Sequence, residues 1–525
     1  MSSSDAKDVP VSRTEISSAH SVQLSTWQLA LKYKTAVFWS AFIGLASINW
    51  GMDTLLSNGV IAVPSFQRDF GYDFHGKYII SASWQIAFNT ASSIGGFFGA
   101  IGAGYLASKL GNKRALAIAC IISIGGVFIQ MFARSSGLLM AGKVHPTTSL
   151  SYLTHADHTK LINGLSLGAF LTISSSYSAE ACPTSIRGFT LSGVQLSISI
   201  GQLAANLILK GTGTLSNATA YRLPFALQFF FPAILLIGLP FCPESPWHLA
   251  RTHQDALALT TLARLGYSSP ANELAEMSKT FKQEEARSSS TSYFDCFRGS
   301  DLRRTEVAMG IFSVAQLTGV VFAIGYSSYF FQLAGLSASD SFSLSVGVSV
   351  LGLVGVLCSW FIVNRAGRRS SSFVGTAVLT GLLFLIGVLD VVNGGKGAVY
   401  GQVTCVILFA FVYLLTIGPM GWTLFAEVSS ARLRSRTVGL GIVVQNSFGV
   451  LMNIVVPLLI NPDAADLGGK IGFIFGGTAL VSVLWVYLRV PETAGRSFEE
   501  LDWLFESGVP ARRFKGYDVP LFPAV

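Results

Sequence analysis

The chain carries the same three polar clusters twice, with the two copies about half a chain length apart. Every cluster lies in a short polar gap between long apolar runs. The clusters and their repeats are Gly-Asn-Lys-Arg at 111–114 with Gly-Arg-Arg at 367–369, Glu180 and Arg187 with Glu427 and Arg434, and Pro-Glu-Ser at 243–245 with Pro-Glu-Thr at 491–493. The repeating unit is therefore a bundle of apolar helices, and two related bundles are predicted.

The composition requires a membrane around these helices. Hydrophobic residues make up 51% of the 525 residues, and charged residues only 12%. A soluble chain of this length could not bury so much apolar surface. A run of about 20 apolar residues is long enough to cross a bilayer as a helix. Twelve such spans are predicted, at 36–56, 79–106, 115–132, 137–177 (interrupted), 189–209, 223–242, 307–332, 341–363, 371–391, 400–425, 437–460 and 470–489.

These spans predict an all-α membrane protein with two pseudo-symmetric six-helix bundles. The predicted parts are a disordered N-terminal segment at 1–35, bundles at 36–242 and 307–489, a helical linker at 243–306, and a C-terminal segment at 490–525. If both termini are cytosolic, 27 of the 36 lysines and arginines fall on the cytosolic side, with Arg489 at the inner end of span 12 included, as the positive-inside rule requires. The net charge of +8 therefore reflects membrane orientation and does not indicate nucleic-acid binding.

The sequence offers no pattern typical of an enzyme or a metal site. We find no nucleophile–base set, phosphate loop or metal-ligand spacing, so no cofactor is predicted. The six cysteines are expected to be reduced and structural. Asn217 begins an Asn-Ala-Thr sequon on the predicted outer loop after span 5, where glycosylation is possible.

Several motifs resemble those of a known family. They are Gly-Met-Asp-Thr at 51–54, Glu-Ala-Cys-Pro-Thr-Ser-Ile-Arg-Gly at 180–188, Pro-Glu-Ser-Pro-Trp at 243–247, Gly-Tyr-Ser-Ser-Tyr-Phe at 325–330 and Pro-Glu-Thr-Ala-Gly-Arg at 491–496. With them the chain resembles the sugar porters of the major facilitator superfamily, and more narrowly the fungal α-glucoside (maltose-type) permeases. The resemblance implies a monomeric plasma-membrane symporter that imports a di- or oligosaccharide with protons by alternating access.

Asp53 is the candidate for proton coupling. A carboxylate inside an apolar span is costly unless it is paired, hydrated or protonated. Reversible protonation is one use of such a site, and a static ion pair between spans 1 and 4 is the alternative. In the family, the matching acid accepts the proton and pairs with a cation on span 4, and Lys143 occupies the place of that cation. We therefore predict that Asp53 and Lys143 form the coupling pair.

A sugar site needs amides for the hydroxyl groups and aromatic rings for the C–H faces. An ordinary hydrogen bond between helices is the alternative for any single buried amide. By resemblance and by their place in the spans, the candidates are Gln195, Gln316, Tyr326, Trp422 and Asn446.

The repeated charged clusters are the candidates for a cytosolic gate. Ion pairs at a wet interface are weak, about 0–1 kcal/mol each, which suits a gate that must open. We expect the cluster residues to pair across the two bundles when the cytosolic side is closed. They are Glu180, Arg187, Arg365, Arg368, Glu427 and Arg434.

The chain departs from the family pattern at three single positions. Ser108 and Asn364 stand where the family has an acid, which should weaken the outward-open state. Trp50 stands where α-glucoside porters have a glutamate. These departures leave two alternatives open: a facilitator or permease for a monosaccharide or another small hydroxylated metabolite, and a sugar sensor that does not transport.

Span 4 is interrupted by residues 144–160, which include three histidines, an aspartate and a proline. Such a polar segment cannot cross lipid as part of one helix. Our hypothesis is a retained intron: seventeen codons are 51 nucleotides in frame, with Val144 and Lys160 able to encode the GT and AG ends. A true insertion would have to loop out into water, and transport would then be impaired.

Overall fold

The computed structural model describes residues 26–132, 156–288, 293–392, 395–429, 433–496, 498–517 and 519. Spans 1 to 6 are Lys34–Gly59, Ala82–Leu110, Asn112–Phe132, Ala156–Ala181, Thr184–Thr212, and Thr219–Ala226 continued by Phe230–Gly238. Spans 7 to 12 are Gly299–Leu317 continued by Ser327–Leu333, Ala338–Ala366, Arg368–Val391, Lys396–Leu415 continued by Ile417–Val428, Arg434–Ile460, and Ile471–Arg489. The predicted twelve-helix fold is confirmed.

Shorter elements connect the spans. Helices outside the bundles are Thr26–Lys32, Pro64–Phe70, Pro246–Arg251, Asp255–Leu265, Pro270–Ser288 and Phe498–Glu506. The loop between spans 1 and 2 also contains an antiparallel hairpin, β1 (Tyr72–Phe74) and β2 (Lys77–Ile79), in which Tyr72 pairs with Ile79. His75 and Gly76 turn this hairpin with positive φ angles of 52° and 81°, as a two-residue hairpin turn requires.

The structure moves three predicted boundaries. The first helix begins at Thr26, inside the segment 1–35 that we expected to be disordered. Span 7 begins at Gly299, so the end of the predicted linker 243–306 belongs to a membrane helix. Span 4 begins at Ala156, so the last residues of the interrupting segment form its first turn. The shifts at spans 4 and 7 arise because polar residues can continue a helix past the apolar run that hydropathy detects.

Nine helices in the described part of the chain are long and apolar enough to cross a membrane. Spans 1, 4 and 7 do not meet that criterion, although they complete the two bundles. These three carry the buried polar side chains Asp53, Lys160 and Asn163, and Thr318. A helix that carries polar residues in a membrane protein must turn them away from lipid. In spans 1, 4 and 7, low hydropathy therefore reflects polar side chains that the bundles bury.

Glycines let the first-bundle helices approach closely. A Cβ on Gly51 of span 1 would lie 2.2 Å from the Ile198 carbonyl oxygen of span 5. A Cβ on Gly99 of span 2 would lie 2.0 Å from the Leu165 carbonyl oxygen of span 4. Backbone contact of this kind is the usual way in which membrane helices associate. It holds spans 1, 2, 4 and 5 in fixed register around Asp53.

Candidate functional site

Asp53 lies in span 1 with 1% of its side chain exposed, and it accepts hydrogen bonds from two other spans. Its Oδ1 accepts from Lys160 Nζ at 3.2 Å and from Asn163 Nδ2 at 3.0 Å, both in span 4. The same oxygen accepts from Gln228 Nε2 at 3.0 Å, in span 6. Among the described residues, the other oxygen, Oδ2, accepts only from Ser57 Oγ at 3.5 Å. One carboxylate oxygen is thus saturated with N–H donors, and the other is almost free.

Lys160 is the cation that faces Asp53. Its side chain is fully buried, and its Nζ also donates to Ser57 Oγ at 2.7 Å. The ammonium lies 4.7 Å from the ring centroid of Phe88 and 5.3 Å from that of Phe225, distances at which a ring face attracts a cation. A buried pair of this kind is stable only because extra hydrogen bonds and ring contacts replace the lost water.

The predicted partner, Lys143, lies outside the described residues. Lys160 directly precedes Leu161, and Lys143 would take that same place if residues 144–160 were absent. The interrupting segment therefore ends on the residue type that the site needs. The structure places Lys160 of span 4 beside Asp53, and the pairing of Asp53 with Lys143 stays a prediction.

Sequence reasoning missed Ser57, Asn163 and Gln228. Ser57 is one helical turn after Asp53, and Asn163 is three residues after Lys160, so each shares the face of its neighbour. That periodicity was the signal that could have identified them. Gln228 carries a weaker signal, because it is an amide inside the most apolar part of span 6. All three are buried.

The sugar-site candidates are partly brought together. Trp422 of span 10 donates from Nε1 to Gln195 Oε1 of span 5 at 3.3 Å, which joins the two bundles. The ring of Phe312, one turn before Gln316, lies edge-on to Trp422 with centroids 5.5 Å apart. Gln316 Oε1 is buried and accepts no hydrogen bond from a described residue. This part of the centre presents an indole ring and amide oxygens.

The other two candidates are bound elsewhere. Tyr326 follows the π-helical turn Val321–Gly325 in span 7, and its hydroxyl accepts from Asn89 Nδ2 of span 2 at 2.8 Å. Turns of this type often mark functional sites because they redirect a side chain. Asn446 of span 11 is half-buried, and its Nδ2 donates to Ile442 O within its own helix at 3.1 Å.

At the end of the bundles where the linker lies, which we call the linker face, the repeated clusters bind within their own halves. In the first half, Glu180 accepts from Asn112 Nδ2 at 2.9 Å and from Ser245 Oγ. In the second, Glu427 accepts from Arg368 at 3.0 Å and from Thr493 Oγ1. The two halves thus use the same positions, with a neutral amide in one and a guanidinium in the other.

The remaining gate candidates give no ion pair between the halves in the described part of the chain. Arg187 is largely buried near Glu180, and its Nε makes no hydrogen bond to a described group. Arg365 is exposed at the end of span 8, and Arg434 begins span 11. One contact between the halves at the linker face is aromatic: the rings of Phe189 and Trp360 lie 4.8 Å apart.

At the opposite end, the far face, polar contacts join the two halves. Asp463, between spans 11 and 12, accepts from Tyr72 of the hairpin at 3.0 Å and from the Ala82 amide at 3.2 Å. Asn461 accepts from Gln85 Nε2 of span 2 at 2.9 Å. Burial, reinforced by the bond to Asp463, raises the pKa of Tyr72 to about 12, so this phenol stays a donor at neutral and acidic pH. We call these five residues the far-face cluster.

Comparison with known proteins relates the chain to a family of transporters. The family model described as "Sugar (and other) transporter" matches residues 39–505. The general alpha-glucoside permease of Saccharomyces cerevisiae is 33% identical over 498 residues, which cover 93% of this chain and 78% of the permease. Maltose permease MAL31 of the same yeast is 32% identical over 511 residues, covering 94% of this chain and 80% of MAL31.

Among solved structures, the partially occluded inward-open xylose transporter XylE of E. coli superimposes with a TM-score of 0.71 at 17% identity. The match covers 88% of this chain and 99% of XylE. That likeness shows the fold, and the family model and the yeast permeases show the membership. The chain therefore belongs to the sugar transporter family of the major facilitator superfamily, as a multi-pass membrane protein.

Proposed function

We propose that the protein is a proton-coupled importer of an α-glucoside, such as maltose or a related di- or oligosaccharide. The observation that carries this proposal is the Asp53 site. A carboxylate and an ammonium, both buried, are held by neutral amides and a hydroxyl from three spans. Such an arrangement has two useful protonation states, because the pair is stable when ionised and a protonated acid is tolerated in an apolar span.

The substrate class is supported from two directions. The yeast relatives are named for alpha-glucosides and maltose. They are about a third identical to this chain over nearly its whole length. Gln195 and Trp422 supply an amide and an indole ring at the contact between the two bundles. A sugar hydroxyl can replace the indole N–H on Gln195 Oε1, and the ring can then cover a C–H face.

Alternating access is supported by the contrast between the two faces. At the far face, Asp463 and Asn461 of the second half hold Tyr72, Ala82 and Gln85 of the first half. At the linker face, the repeated charged residues bind within each half. We infer that the structure is in a state closed to the outside. We also infer that the protein is a monomer in the plasma membrane, with both termini and the linker in the cytosol.

Uptake by yeast that lacks its own sugar transporters tests the proposal. Cells expressing the chain would be given labelled maltose, trehalose, glucose and a panel of non-sugars, with and without an uncoupler. Maltose uptake that the uncoupler and Asp53→Asn both abolish is the expected result. Uptake that survives Asp53→Asn with no dependence on pH would indicate facilitated diffusion. Uptake of a non-sugar alone would refute the substrate class.

A further inference from the structure

Gln228 is the member of the Asp53 site whose side chain has no other described partner. It lies in the short 3-10 segment Leu227–Phe229 that joins the two helices of span 6, and it is fully buried. Its Nε2 donates to Asp53 Oδ1 at 3.0 Å. Within the described part of the chain this is its one side-chain hydrogen bond, and its Oε1 is buried without a donor.

A buried amide oxygen without a described donor does not by itself set Gln228 apart, because Gln85 Oε1 has none either. Gln85, however, donates to two groups, Asn461 Oδ1 at 2.9 Å and Ile80 O at 3.0 Å. Gln228 makes its one described side-chain hydrogen bond to Asp53. In the described part of the molecule, its polar contribution therefore acts through that carboxylate.

The donor changes the balance between the two protonation states of Asp53. A hydrogen bond to a carboxylate is about twice as strong as one to a neutral acceptor, so the third N–H on Oδ1 favours the ionised form. Because three donors occupy Oδ1, the proton has room only at Oδ2, which faces Ser57 Oγ at 3.5 Å. Gln228 thus influences both where the proton binds and how readily it leaves.

We propose that Gln228 is a positioning residue for proton coupling, which holds Oδ1 of Asp53 and stabilises the carboxylate so that a proton taken up at Oδ2 is released again. This rests on the proposed function, in which Asp53 carries the proton. Without the Gln228 donor, the ionised form of Asp53 loses one of its three N–H hydrogen bonds. The proton-loaded carrier then persists into more alkaline medium, so the pH of half-maximal uptake rises.

The test compares two variants at Gln228 with a matched control. Gln228→Met keeps the side-chain length without a donor, and Gln228→Glu places a second carboxylate beside the first. Gln402→Met is the control, because Gln402 is also buried (3% exposed) and donates to an aspartate, Asp390, at 3.1 Å in the second bundle. Initial uptake of labelled maltose would be measured against external pH, normalised to transporter in the membrane.

We expect Gln228→Met to raise the pH of half-maximal uptake by about one unit, a tenfold change in proton affinity. Gln228→Glu should raise it further, because two adjacent carboxylates oppose each other's ionisation. Gln402→Met should leave it unchanged.

A slower rate at every pH with an unmoved midpoint in both Gln228 variants would show that Gln228 only packs, and would overturn the inference. That result would leave the proposed function intact if Asp53→Asn still abolished uncoupler-sensitive uptake. Uptake that remained proton-dependent in Asp53→Asn would instead refute the proposed function itself. The two failures are therefore distinguishable in one experiment.

Discussion

Replacement of Lys160 by methionine tests the central ion pair most directly. The side chains of Lys160 and Asp53 are 0% and 1% exposed, so solvent does not screen their interaction. Loss of one partner from a buried pair costs about 3–5 kcal/mol, because the remaining charge is left uncompensated. In this site the amide donors of Asn163 and Gln228 would remain on Asp53, but the charge of Lys160 would be lost. We expect proton-driven uptake to fall by at least about 100-fold, since 1.4 kcal/mol is a factor of ten.

The assay is initial uptake of labelled maltose with and without an uncoupler, normalised to surface protein. Lys143→Met is the matched control and should leave uptake unchanged, because Lys160 holds the site in the chain as it stands. When residues 144–160 are deleted, uptake should depend on Lys143 instead of Lys160. Lys143 then precedes Leu161, and Lys143→Met should abolish uptake. Lys160→Arg should retain part of the activity, since the charge is kept.

The opposite pattern would refute this reasoning. If Lys143→Met abolished uptake in the full chain while Lys160→Met transported normally, Lys160 would not be the charge partner of Asp53. The deletion also decides whether the interrupting segment impairs transport, as we expect of a true insertion. Equal uptake with and without the segment would contradict that expectation.

Three further outcomes follow from the site and the two faces. Trp422→Phe keeps an aromatic ring but removes the Nε1 donor that a sugar hydroxyl has to displace from Gln195; release of a hydrogen bond of about 1 kcal/mol predicts a KM for sugar several-fold lower, and an unchanged KM would contradict a role in the sugar site. Tyr72→Phe removes the hydrogen bond to Asp463 and should open the far face more often. A cysteine introduced at Gln85 should then react faster with an impermeant thiol reagent. Tyr78→Phe, in the same hairpin, is the control, and equal labelling in the two variants would contradict the prediction. Glu492 accepts from the Arg368 amide at 2.8 Å and so caps the start of span 9. Glu492→Gln removes the negative charge of this cap, and we expect the free energy of unfolding to fall by about 1 kcal/mol, measured as a lower Tm of the protein in detergent. An unchanged Tm would show that the charge of the cap contributes nothing.

Much of the fold could be predicted because hydrocarbon constrains every span separately. Apolar runs of sufficient length identified the helices, and repeated polar gaps identified the two bundles. Asp53 was also predictable, since a carboxylate in an apolar run is costly wherever the helix lies. The boundaries of spans 4 and 7 were less well predicted, because polar residues continue those helices beyond the apolar stretch.

The partners of Asp53 were not predictable in the same way. Gln228 is 175 residues away, and its approach depends on how span 6 is rotated and tilted against span 1. Hydropathy reports neither rotation nor tilt. The far-face cluster is a stronger example, because Tyr72 and Asp463 are 391 residues apart in loops that carry no apolar signal.

The sequence by itself determined that this chain is a duplicated membrane bundle with an acid in its first span, and its motifs carried the resemblance to the sugar porters. The duplicated bundle and the acid are local features, because run length, residue type and spacing are enough to decide them. Only the tertiary structure decided that Lys160 stands beside Asp53, that three N–H groups saturate one carboxylate oxygen, and that the halves join through polar contacts at the far face. Helix packing sets these contacts, because side-chain volumes and close approach at glycines fix the positions of many spans together. No single segment of the sequence determines those positions.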